Sequence, residues 1–192
     1  MTTTSLGGGT AVGSVARQLL LSFIALFLMA QSGRAQQKPD QLIVYGDNFI
    51  FGVKEPPGWS GDTTNAHKFQ WNVVLHEMGQ PPESFTGLIR IRLNPKVDEN
   101  TKADLEADMR EYRDQYRKVQ FKDLSIRNPR YLCLAKVFFV PGEFYEYVAY
   151  VNPGPKKPLL FSVSMNTQKS EANSEELEAF ISAVQSLTLL KP

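Results

Sequence analysis

The residues that first suggest chemistry lie in the stretch HKFQWNVVLHEMGQ, His67 to Gln80, which carries both histidines of the chain and ends its strand-like part on His76-Glu77. A histidine followed by a glutamate is half of the helical HExxH zinc motif, in which two histidines one turn apart bind the metal and the glutamate serves as base. Here the position four after His76 is Gln80, Gly79 weakens any helix, and Pro81-Pro82 ends it. A looser site using His67, His76 and Glu77 meets a second obstacle. Read as one strand, residues 67–77 hold the histidines about 30 Å apart with their side chains on opposite faces. The stretch GWSGD, Gly58 to Asp62, approaches G-x-S-x-G around Ser60, but Asp62 stands where the second glycine belongs, and no strand-to-helix elbow follows. It reads instead as a turn in which Trp59 tucks back against a sheet. Cys133 sits in the apolar run YLCLAKVFF, where a small buried thiol fits better than a nucleophile. These residues leave no catalytic group, metal ligand or cofactor site to assign, and a hydrolase or metal-dependent enzyme built on His76 and Glu77 stands as the alternative reading.

The elements that would position such residues emerge from periodicity. QLIVYGD and NFIFGVKEPPGW are short apolar runs parted by Gly46-Asp47-Asn48, hence two early strands or one hairpin. KFQWNVVLHEM alternates Phe69, Trp71, Val73 and Leu75 against Gln70, Asn72, Val74 and His76, and FTGLIRIRLNP alternates Ile89, Ile91 and Leu93 against Arg90 and Arg92. Between these two runs GQPPES suits an antiparallel connection. The segment NTKADLEADMREYRDQYRKVQF repeats apolar residues at steps of three and four through Leu105, Met109, Tyr112, Tyr116 and Val119, behind an Asn100 or Thr101 cap, and predicts a helix. KDLSIR, RYLCLAKVFFV, EFYEYVAYVN and PLLFSVSMNT then predict a meander, with turns at Pro141-Gly142-Glu143 and Asn152-Pro153-Gly154-Pro155. Leu177, Phe180, Ile181, Val184 and Leu187 give a closing helix capped by Asn173 or Ser174. Strands, helix, strands, helix is the order of an α+β domain with a central, mainly antiparallel sheet covered by helices.

In EFYEYVAY, Tyr145 and Tyr147 share one face and Phe144, Glu146, Val148 and Tyr150 the other. A strand aromatic on both faces either lies between helices or lines a groove, and in the second case Tyr145 and Tyr147 are the candidate partner-binding residues.

Composition narrows the function classes. The chain has 192 residues, 42% hydrophobic and 21% charged, enough for one domain with its own core, and its 21 basic against 20 acidic residues give a formal charge of +1 without a basic block. That balance argues against nucleic acid as a partner. Arg17, the twelve-residue run Leu19 to Ala30, and small residues at Gly33 and Ala35 form a secretory signal read as cleaved after Ala35, with an uncleaved anchor the lesser alternative. The run is too short to span a bilayer, which takes about 20 residues. Residues 36–41 are then a linker and 42–192 a single domain. The exported chain, periplasmic or secreted, keeps no integral membrane span after cleavage and has one cysteine, which rules out an internal disulfide.

Taken together, FIFGVKEPPGW with its Pro57-Gly58-Trp59 end, the helix, the meander and the final amphipathic helix running into SLTLL resemble the family that shares its fold with the photosystem II extrinsic protein PsbP and a Ran-binding nuclear transport factor, in particular its small exported bacterial members. The resemblance covers about residues 40–190. It implies an α/β/α sandwich and a role in binding or assembly, with no catalytic residues to carry over. The leader reads as secretory rather than as a thylakoid transit peptide. The function expected is an exported, non-enzymatic binding or assembly domain with a protein partner in the cell envelope.

Overall fold

The computed structural model describes residues 41–79, 87–96 and 100–191. The expected signal segment 1–35, most of the linker and the Pro81-Pro82 loop lie outside the described residues. Two antiparallel sheets are described. The smaller comprises β1 (Leu42–Tyr45), β2 (Ile50–Val53) and β10 (Thr188–Lys191), in the order β1-β2-β10. The larger comprises β3 (Trp59–Asp62), β4 (Val73–Glu77), β5 (Ile89–Pro95), β6 (Gln120–Asp123), β7 (Leu132–Val140), β8 (Phe144–Asn152) and β9 (Leu159–Asn166), in the order β3-β4-β5-β9-β8-β7-β6. Three helices are described: α1 (Thr64–Lys68), α2 (Thr101–Gln115) and α3 (Ser174–Ser186). None of them is long and apolar enough to cross a membrane.

Alternation along the strands makes the layers. On β5 and β9, Ile89, Ile91, Phe161, Val163 and Met165 are fully buried on one face, while Arg90, Arg92, Ser162 and Ser164 point to the other. The first face packs against α3 through Phe180, Ala183 and Val184 and against the small sheet through Phe51, whose ring meets Phe161 edge-on at 5.3 Å. The opposite face receives α2, where Leu105, Met109 and Tyr112 pack on Phe138, Val148, Tyr150 and Leu160. The sheet is therefore covered on both sides, an α+β sandwich of the expected class.

Local chemistry sets the boundaries. The Asn100 side chain accepts from Lys102 N at the start of α2, and Asn173 forms a reciprocal capping box with Glu176 at the start of α3. Gly142, at φ +80°, closes the three-residue β7–β8 hairpin, with Glu143 N donating to Val140 O at 2.9 Å. Asn128 ties the β6–β7 connection to the end of α3: its amide donates to Val184 O at 2.8 Å while its oxygen accepts from Arg130 N and Tyr131 N.

Four expectations need correction. Residues 67–77 are not one strand, because His67 lies in α1 and only Val73–Glu77 is extended. The stretch GWSGD is strand β3, paired with β4 in the register Trp59↔Glu77 and Ser60↔His76, rather than a turn; Trp59 is buried as expected. Helix α2 stops at Gln115, where Tyr116 turns extended, so the next strand is Gln120–Asp123 instead of KDLSIR. Leu187 ends the α3 stripe, and SLTLL continues into β10 on the free side of β2.

Candidate functional site

Behind β3 the chain makes a tight reversal that builds a cavity. Asp62, the last residue of β3, accepts from Asn65 N at 2.9 Å and from Asn65 Nδ2 at 2.5 Å, so its side chain caps the single turn of α1. Partial burial pushes the Asp62 carboxyl upward. The Asn65 amides, the Thr64 amide and nearby His76 outweigh that, and hold it below the usual carboxylate range. It is a carboxylate at neutral pH. After α1, Gln70 adopts φ +64° and turns the chain back, so that Trp71 N donates to Ala66 O at 3.0 Å. Trp71 then lies with Ala66, Val74 and Leu88, on the opposite side of β4 from Val73 and Leu75, although the alternation in the sequence groups it with those two.

The cavity enclosed by these residues is about 310 Å3 and is lined by Asp62, Asn65, Ala66, Phe69, Trp71, Val74, Leu88 and Arg90. Its volume is at the lower end of the range for small-ligand sites. Asp62, Val74 and Arg90 stand in one row across β3, β4 and β5, so acid and base flank an apolar floor with their backbones about 10 Å apart. Phe69, 52% exposed, forms the rim. Arg90 lies over the Trp71 ring at 5.4 Å and donates from one Nη to Glu146 at 2.9 Å. Glu146 in turn accepts from the Tyr112 hydroxyl, which joins the cavity wall to α2. Burial, with Glu146 beside it, raises the Tyr112 pKa, so the phenol stays a donor. Arg90 Nε is buried with no hydrogen-bond partner among the described residues.

The residues singled out from sequence fall elsewhere. His76 and Glu77 are consecutive in β4 and point to opposite faces of the sheet, so they cannot ligate one ion together. Ser60 does face His76 across the ladder, but His76 Nδ1 is 3.0 Å from its neighbour's carbonyl, Glu77 O, and Asp62, the acid on the same face of β3, is bound to Asn65. A serine–histidine–aspartate relay is not assembled. Among the described residues, no group of three or more histidine, cysteine or acidic side chains converges as a metal site would require. The Cys133 thiol is half-buried and pushed up to about 11 by burial. Tyr147, offered from sequence as partner-binding, is 4% exposed, and its hydroxyl accepts from Ala172 N at 2.9 Å. Tyr145 beside it is half-buried and stacks on Phe139 at 5.4 Å. Strand β8 is sandwiched between helices, which explains its aromatics on both faces. Asp62, Trp71 and Arg90 were missed as a site. The Asp62-Thr-Thr-Asn65 run was a readable cap signal, but the reversal at Gln70 had none.

No protein-family model matches the chain, and no curated protein matches it. Among solved structures, the chain is similar to the solution structure of cyanobacterial PsbP (CyanoP) from Synechocystis sp. PCC 6803. The identity is 13% and the TM-score 0.48, over 81% of this chain and 95% of that one.

Proposed function

We propose that this chain is an exported, non-enzymatic binding domain that engages a protein partner in the cell envelope through the cavity between α1 and β3–β5. The observation that carries the reading is the cavity itself: an open, largely apolar hollow with a fixed carboxylate on one side, an arginine on the other and an exposed phenylalanine at its rim. Exposed aromatics beside convergent polar groups favour recognition. Export rests on the leader read from residues 1–35. Tyr147 is inside the domain, so the reading rests on the cavity rather than on the face of Tyr145 and Tyr147.

Affinity capture from an envelope fraction tests this with three baits: the wild-type chain, Phe69→Ala and Tyr145→Ala. Expected is a partner retained by wild type and Tyr145→Ala and lost by Phe69→Ala. No specific partner, or one indifferent to Phe69, contradicts the proposal.

A further inference from the structure

Resting on that reading of the cavity, we infer that the group its partner inserts there is a single uncharged aromatic side chain. The charges that line the cavity are already matched from within. The Asp62 carboxylate is partly exposed, accepts from both amides of Asn65, and has the Thr64 amide and His76 beside it. Arg90 donates to Glu146 at 2.9 Å and lies over the Trp71 ring at 5.4 Å. Its unmet proton, on Nε, is buried and presents no surface to a guest. Lys68 reaches only the exposed rim, where its Nζ donates to Asn65 Oδ1 at 2.8 Å. An ammonium or carboxylate entering this space would give up water without gaining an open counter-charge, whereas an uncharged group loses nothing of the kind.

What remains for a guest to meet is apolar surface, and its kind points to a ring. Ala66, Val74 and Leu88 form the floor, each 8% exposed or less, while Phe69 at the rim and Trp71 in the wall set two aromatic side chains against the space. Ring pairs in offset or edge-on contact are stabilised beyond the area they bury. The Trp71 wall is formed in advance: its backbone amide donates to Ala66 O at 3.0 Å, its side chain packs with Ala66, Val74 and Leu88, and Arg90 lies over its ring. A wall already ordered adds no ordering cost on binding. At about 310 Å3 the cavity suits one bulky side chain rather than an extended molecule. An aromatic anchor seated in a preformed pocket is also where protein interfaces concentrate their binding energy.

The test is a two-dimensional amide NMR titration of the full chain with side-chain analogues at millimolar concentration: phenol, 3-methylindole, cyclohexanol, n-butylammonium and propionate. Expected are shifts at Ala66, Phe69, Trp71 and Leu88 with phenol and 3-methylindole, and none at these residues with n-butylammonium or propionate. Phenol should bind roughly twofold to tenfold more tightly than cyclohexanol, the margin of a ring contact over burial alone, and Phe69→Ala should remove most of that margin. Binding of n-butylammonium or propionate as tight as that of phenol overturns the inference, because an open charge then selects the guest. Cyclohexanol binding as tightly as phenol overturns the choice of a ring. No shift at these residues with any probe overturns the inference outright, and the capture experiment with Phe69→Ala then judges the binding-domain reading by itself.

Discussion

Single side chains here are legible by the proton or the bond each controls. Asp62 and Asp108 titrate in opposite senses. The Asp62 carboxyl is held below its usual value, so it contributes stability that is present at neutral pH and lost as the pH falls through its folded value. Burial raises Asp108, which accepts from the Tyr150 hydroxyl and has Glu111, Glu146 and Asp104 nearby. Its folded form binds a proton more tightly than the unfolded chain, so its contribution is full at low pH and is lost as the pH rises through the raised value. Urea unfolding at a series of pH values should show a declining component above pH 4 in wild type that Asp108→Asn lacks, and matching curves for the two would contradict this. Cys133, with its thiol pushed up to about 11, should alkylate far more slowly at pH 8 than a free cysteine, with a rate rising about tenfold per pH unit as thiolate forms. Fast alkylation at pH 8 would place the thiol in another environment. Gln70, at φ +64°, occupies a region that costs most residues roughly 1 kcal/mol. Gln70→Gly should leave stability unchanged or raise it by up to about that amount in thermal unfolding.

At the scale of elements, the long periodic segments were readable and the short junctions were not. Ile89, Ile91 and Leu93 against Arg90 and Arg92 fixed β5 and its face, since a period of two leaves one assignment that buries the apolar set. The Leu105 and Phe180 stripes did the same for α2 and α3. Helix α1 escaped because five residues cannot show a 3.6-residue period. Trp71 falls on the other side of β4 from Val73 and Leu75 because the backbone reverses at Gln70, and a period of two does not carry through a reversal. Strand β10 was absorbed into the helix because Leu187 fits the stripe of α3, and only pairing with β2 reveals Thr188–Lys191 as a strand. The joint between α3 and the β6–β7 connection depends on Asn128, which makes hydrogen bonds to Val184 O, Arg130 N and Tyr131 N. Asn128→Ala should cost about 1–3 kcal/mol, because it strands a helix-end carbonyl and two loop amides. Chemical denaturation measures this, and a loss under about 0.5 kcal/mol would show that water replaces those bonds.

Across the whole molecule, the sheet's two faces have separate work. One is sealed by α3 and the small sheet around Phe51, Phe161 and Phe180. The other is sealed by α2 over β6, β7, β8 and β9, and at its β3–β5 end the described residues leave the cavity open. The fold class was visible in sequence because it derives from the count and order of periodic segments. The site was not, because Asp62, Trp71 and Arg90 come from three separate segments that only the β3-β4-β5 pairing and the α1 reversal bring together. The Arg90–Glu146–Tyr112 chain links that cavity to α2. The central claim is that this open end is the recognition surface, and it is tested most directly by affinity capture from an envelope fraction with the wild-type chain, Phe69→Ala and Tyr145→Ala as baits. We predict a partner retained by wild type and Tyr145→Ala and lost by Phe69→Ala. A partner indifferent to Phe69, or none at all, would contradict it.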